Sequence, residues 1–245
     1  MPNLADSFER IYVINLRRRT DRRRRMEREL TRIGTSPSQP SVRFFEACEV
    51  DDAGTFRSRG ERGCLMSHLE VAREALRDRL DSVLIFEDDA MFTPASLDDA
   101  GRSLLADLKS RPWHIAFLGH DERVLESDSP GPARWKRIDE PRTGMHCYAL
   151  SGRDPVVLGE LVDHIGQVLI RPPGHPDGGA VSTDPAYNLF YMRRPDVVTL
   201  AATPVLAVQG SSSSDLSPAW FDRMPPLRYC ADQLRSIRLL LKRSA

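Results

Sequence analysis

Short runs of aliphatic and β-branched residues alternate along this chain with longer stretches whose apolar positions recur every three or four residues. These are the periods of buried strands and of half-buried helices. Residues 11–16 (IYVINL) predict a strand, and Thr20 offers an N-cap to a helix carrying Met26, Leu30 and Ile33 on one face. A second strand is predicted over residues 42–45. Residues 62–80 predict a helix whose stripe is Leu65, Leu69, Ala72, Leu76 and Leu80. Residues 82–86 (SVLIF) predict the next buried strand and run directly into Glu87, Asp88 and Asp89. Pro94 opens a further helix, and residues 113–118 and 147–150 predict strands, the latter followed by a helix to about residue 165.

Strands and helices in alternation imply an α/β protein with a mixed, mostly parallel sheet flanked by helices. Residues 121–143 are polar and Pro-rich and predict loops or a hairpin inserted late in the sheet. Residues 171–179 (RPPGHPDGG) hold three prolines and three glycines and predict a loop. Two short strands are expected around Pro204. Residues 227–242 predict a closing helix with Leu234, Ile237 and Leu241 on one side and arginines elsewhere. The expected organisation is one domain over residues 1–225 and a basic amphipathic helix over residues 226–245. Such a helix packs on its own domain or lies on an anionic membrane surface.

Formal net charge is zero over 245 residues, which excludes a global bias toward nucleic acid. Only Lys109, Lys136 and Lys242 are lysines against 32 arginines. The arginine run within residues 17–32 is diluted by Asp21, Glu27 and Glu29 and carries no interleaved aromatics, so it does not read as a nucleic-acid patch. Cys48, Cys64, Cys147 and Cys230 stand far apart, with neither the spacing of a zinc framework nor a dense disulfide pattern. The first residues lack the pattern of a signal peptide, and no run of 18 apolar residues occurs. Work in the cytoplasm, or at the inner face of a membrane through the closing helix, is the expectation.

Candidate chemistry concentrates in VLIFEDDAMF, residues 83–92. Three successive acids after an apolar strand repel one another, and a divalent cation removes that cost. A hard ion such as Mn²⁺ or Mg²⁺ takes one or two carboxylates and completes its shell with phosphate oxygens and water. An acidic turn solvated at the surface is the plainer explanation of the same residues.

Several motifs together resemble glycosyltransferase family 25, which includes lipooligosaccharide and collagen galactosyltransferases. IYVINLRRRTDR carries Asn15, Leu16, Arg19, Asp21 and Arg22 of an N-L-x-x-R-x-D-R pattern. GERGCLMSHLEVAREAL carries Gly60, Gly63, Cys64, Ser67 and His68 of a G-E-x-G-C-x-x-S-H pattern. LIFEDDAMF is similar to the family's acidic metal motif. CYALS, the Thr183–Asp184 pair and PVLAVQGSSSSD are weaker matches in the same order. The resemblance implies a GT-A-type nucleotide-sugar-binding fold and a UDP-sugar donor, typically UDP-galactose. It also implies Mn²⁺ or Mg²⁺ and inversion at the anomeric carbon. The acceptor hydroxyl belongs to a saccharide, a peptide or a small molecule.

On that resemblance Asp89 holds the metal, with Glu87 as a further ligand. Asn15, Leu16, Arg19, Arg22, Glu87 and Asp88 bind the donor. His68, Ser67, Gln209 and Ser212 line the donor or acceptor pocket, although a histidine beside a helix stripe is as readily a hydrogen-bonded structural residue. Asp184 is the candidate general base, and as an apparent N-cap it also has a structural explanation. A nucleotidyltransferase would share such a metal-dependent nucleotide site, yet residues 17–19 offer no Gly-rich phosphate loop. A degenerate family member serving as a scaffold is the non-enzymatic rival.

Overall fold

A computed structural model describes residues 4–120 and 133–210 of the chain. The elements run α1 (Leu4–Ser7), β1 (Arg10–Asn15), α2 (Thr20–Arg32), β2 (Val42–Glu46), α3 (Arg59–Arg77), β3 (Ser82–Glu87) and β4 (Ala90–Phe92). They continue with α4 (Asp99–Ser110), β5 (Ile115–Gly119), β6 (Arg134–Arg137), β7 (Cys147–Ser151), α5 (Pro155–Ile170), α6 (Thr183–Met192), β8 (Thr199–Thr203) and β9 (Ala207–Gln209). The strands form one nine-stranded sheet in the order β2-β1-β3-β7-β5-β8-β6, with β9 joining β4 to β5. β1 pairs in parallel with both β2 and β3, whereas β7 enters antiparallel between β3 and β5. The sheet is therefore mixed, and one of its parallel parts lies where the acids end β3.

Side-chain alternation sorts the core into two layers. Tyr12, Ile14, Val83, Ile85, Phe117 and Tyr148 face α3, α5 and α6, while Ile11, Val13, Leu84, Phe86 and Leu118 face α1, α2 and α4. Helices thus flank both faces, as the strand–helix alternation implies. No helix among the described residues is long and apolar enough to cross a membrane. The segment 226–245, and the domain boundary drawn before it, lie outside the described residues.

Several boundaries differ from the sequence expectation, each for a local reason. α2 begins at Thr20 itself with Arg19 in the cap position, and no side chain caps it. α3 starts earlier than expected because the Ser58 side chain accepts from the Glu61 amide at 3.1 Å. Pro94 opens only a 3₁₀ turn, and α4 begins at Asp99, capped by Asp98. α5 runs on to Ile170, started by Asp154, which accepts from the amides of Val156 and Val157. Ser182, not Asp184, occupies the cap position of α6, so the N-cap expectation for Asp184 is corrected.

Close packing explains one glycine of the G-E-x-G-C pattern. A Cβ at Gly63 would lie 2.4 Å from the Cys48 carbonyl oxygen, so α3 rests directly on the backbone of the loop after β2. We expect Gly63→Ala to lower stability by about 1–3 kcal/mol, the usual cost of overpacking. Urea denaturation measures it, and an unchanged midpoint would show that the loop yields freely.

Candidate functional site: an acidic cleft at the end of the parallel strands

Open α/β sheets bind ligands beyond the carboxyl ends of their strands. Here β1 and β3 run side by side, with Ile14 in register with Glu87, so the residues following both strands meet. A cleft of about 520 Å³ opens there, lined among others by Leu16, Arg18, Arg22, Cys64, His68, Glu87, Asp88, Asp89 and Gln209.

The three acids have three different environments. Asp88 is the paired one: Asn15 Nδ2 donates to its Oδ2 at 2.7 Å and Arg22 Nη1 to its Oδ1 at 2.6 Å. Burial raises its pKa, and the Arg22 charge opposes that rise. Glu87 turns toward α3, with Oε1 3.3 Å from His68 Nε2 and 3.9 Å from Cys64 Sγ. Burial works to raise the Glu87 carboxyl, but the hydrogen bond and charge of His68, together with the charges of His146 and Arg22, hold it below the usual range.

Asp89 is the unsatisfied acid. Its Oδ2 accepts from Gln209 Nε2 at 3.4 Å and lies 3.8 Å from Arg22 Nη1, while its buried Oδ1 has no hydrogen-bond partner. Burial first, and the Glu87 charge second, push its pKa up to about 7. Buried polar atoms are nearly always satisfied, so an oxygen left open in a cleft is where an external partner belongs. A hard divalent cation fits that oxygen and would relieve the repulsion between the acids.

β4 brings Gln209 to this position. Ala90 pairs with Gln209 across the β4–β9 ladder, and the Gly210 amide donates to the Asp89 carbonyl at 2.7 Å. Nothing in the local pattern foretells β4, which is three residues long and directly follows the acids.

The remaining expected residues divide between cleft and scaffold. Leu16 and Arg22 line the cleft, and Asn15 reaches it through Asp88. Arg19 is buried and forked onto Asp21, with two N–O distances of 3.0 Å, so its guanidinium serves the start of α2. Ser67 lines the cleft, but its hydroxyl accepts from the Cys48 amide at 2.8 Å and donates to the Gly63 carbonyl at 2.7 Å. His68 is fully buried, with Nδ1 2.8 Å from the Tyr148 hydroxyl, which lies 3.0 Å from that of Tyr187. Ser212 lies outside the described residues.

Asp184 is half-buried in the first turn of α6. Its Oδ2 accepts from the Gly144 amide at 2.9 Å and its Oδ1 from the Met145 amide at 3.1 Å. Burial raises its carboxyl pKa, opposed by those two amides. Asp184 does not itself line the cleft, and the same helix start reaches a lining residue through Thr183 Oγ1, 3.4 Å from Cys64 Sγ. Arg18, Cys64 and the loop from Cys48 to Asp51 also line the cleft. The sequence pattern assigns none of them a role, although Cys64 stands inside the G-E-x-G-C-x-x-S-H motif.

The family profile of glycosyltransferase family 25 (LPS biosynthesis protein) matches residues 8–123, which carry the three motifs and the acids of the cleft. That stretch belongs to glycosyltransferase family 25. A glycosyltransferase 25 family member of Drosophila melanogaster is 30% identical over 140 residues, 51% of this chain and 23% of that protein. Procollagen galactosyltransferase 1-A of Xenopus laevis is 26% identical over 174 residues, 64% of this chain and 27% of that protein. Inactive glycosyltransferase 25 family member 3 of Homo sapiens is 26% identical over 140 residues, 50% of this chain and 23% of that protein. The matched stretches thus span about a quarter of these relatives' own length.

Proposed function

We propose that the chain is an inverting glycosyltransferase that moves a hexose, galactose, from a UDP-sugar to a hydroxyl of a saccharide, peptide or small-molecule acceptor. The observation that carries this reading is the buried, partnerless Oδ1 of Asp89 in a cleft at the ends of the two parallel strands. Mn²⁺ or Mg²⁺ at that oxygen would neutralise a diphosphate leaving group. Arg18 and Arg22 stand in the cleft wall as guanidinium donors suited to phosphate oxygens. Asn15 and Arg22 hold Asp88 in place, so the acid beside the metal position keeps one orientation.

Inversion needs a base at the acceptor hydroxyl, and Asp184 is the position we assign. Its raised pKa brings the carboxylate nearer to proton acceptance at neutral pH, and each oxygen keeps a lone pair beyond the amide it already accepts. The galactosyl specificity draws support from the Xenopus relative's name. The inactive human relative makes a scaffold role the reading that an assay must exclude. The intact acids and the open Asp89 oxygen count against it.

The test is turnover of UDP-sugars with and without chelator: activity restored by Mn²⁺ supports the proposal, and full activity in chelator ends it. Calorimetry should also show UDP binding more tightly than ADP or GDP. Arg22→Ala should weaken UDP binding, because it removes a cationic wall residue and releases Asp88. Equal affinity for the three nucleotides would indicate a site that reads phosphate alone.

A further inference from the structure

We propose that Cys64, His68 and Glu87 form a binding site for a thiophilic divalent cation of the zinc type, separate from the oxygen position at Asp89. The three residues offer one sulfur, one nitrogen and one oxygen, all within 4.8 Å of one another. Cys64 and His68 stand four residues apart on α3 and so share one helix face, while Glu87 arrives from the end of β3.

One edge of the triangle already has the spacing of a coordination shell, and the edges to the sulfur are wider. Zinc bonds of about 2.3 Å to sulfur and about 2.0–2.2 Å to nitrogen and oxygen, set tetrahedrally, put neighbouring ligand atoms roughly 3.3–3.6 Å apart. His68 Nε2 and Glu87 Oε1 are already 3.3 Å apart, and Cys64 Sγ is 3.9 Å from the same oxygen. Cys64 Sγ lies within 4.8 Å of the His68 ligand nitrogen, so the thiol must draw toward both partners to close the triangle.

The outer contacts support the same assignment. A metal-bound imidazole is commonly oriented by a partner on its other nitrogen. His68 has one in the Tyr148 hydroxyl at 2.8 Å, itself set by Tyr187, which aims Nε2 at Glu87. Thr183 Oγ1 lies within hydrogen-bond reach of the Cys64 thiol, at 3.4 Å. All three ligand residues line the cleft, so a cation reaches them from solvent. Sulfur and imidazole select zinc-type ions, while an all-oxygen position suits Mg²⁺ or Mn²⁺, so the two positions differ in the ion they prefer.

Cobalt(II) reports thiolate coordination directly, through a sulfur-to-metal charge-transfer band that oxygen ligands do not produce. The full chain, free of tags and stripped by chelator, would be titrated with Co²⁺ and followed by absorbance. The expected result is a band that saturates at one equivalent and is displaced by Zn²⁺ but not by Mg²⁺. Cys64→Ser and His68→Gln should remove it, with circular dichroism confirming that each variant is folded, whereas Cys48→Ser and Asp89→Asn should retain it. No band in the wild type, or a band that survives Cys64→Ser or His68→Gln, would overturn the site. Loss of the band in Asp89→Asn would overturn its separation from the Asp89 position. None of these readouts depends on sugar transfer.

Discussion

Asp89→Asn is expected to abolish sugar transfer while making the metal-free protein more stable. Transfer should fall by at least about 10²-fold, the scale of losing a principal electrostatic contributor at a reacting centre. Stability should move the other way, because the wild-type carboxylate is buried beside Glu87 with one oxygen unpartnered and its pKa pushed up to about 7. That shift means the folded site disfavours the anion relative to water, and a neutral amide escapes the penalty. The amide oxygen can still accept from Gln209. Mn²⁺ should then reverse the order. An ion present at a hundredfold its Kd adds about 2.7 kcal/mol to the protein that binds it, so the wild-type melting temperature rises and that of the variant stays. Wild-type turnover in the variant, or an equal Mn²⁺ response in both, would refute the assignment.

Much of this fold is legible in the sequence because its strands are short, buried and β-branched and its helices carry single apolar stripes. IYVINL, SVLIF and CYALS each form strands within a residue or two of expectation. The acids can be placed at a strand end from order alone, because they follow SVLIF without a break. What each acid does cannot be read that way. Asn15 and Asp88 are 73 residues apart, and only the parallel pairing of β1 with β3 brings the amide onto the carboxylate. His68 shows its helix face in the sequence but not its partner, because Glu87 turns toward α3 while Asp88 and Asp89 turn toward Arg22. Arg19 has the motif position of a donor-binding residue, and its guanidinium is forked onto Asp21, two residues away, a pairing the motif alone does not reveal. Gln209 follows a short apolar run in the sequence, and it is the unforeseen β4 that sets it beside Asp89.

Asp184→Asn is the substitution for which sequence and structure give opposite stability expectations. As an N-cap the position would tolerate the change, since asparagine caps a helix about as well as aspartate. The structure puts Ser182 at the cap and has Asp184 bridge to a distant loop. Its two oxygens each accept a backbone amide, from Gly144 and from Met145, 40 and 39 residues away. An asparagine has one acceptor oxygen, so its NH₂ must face one of those amides, donor against donor. A buried donor left unsatisfied costs about 1–3 kcal/mol. The melting temperature of Asp184→Asn should therefore fall by several degrees, to be measured by calorimetry. Transfer must then be read well below that temperature, with the folded fraction matched to wild type. If Asp184 takes the acceptor proton, single-turnover transfer is lost in fully folded Asp184→Asn while UDP affinity is kept, because the amide cannot accept a proton at neutral pH. If activity instead tracks the folded fraction, Asp184 only pins the segment entering β7 to the start of α6. The base would then be sought elsewhere, with Asp177 in the preceding loop the next position to test.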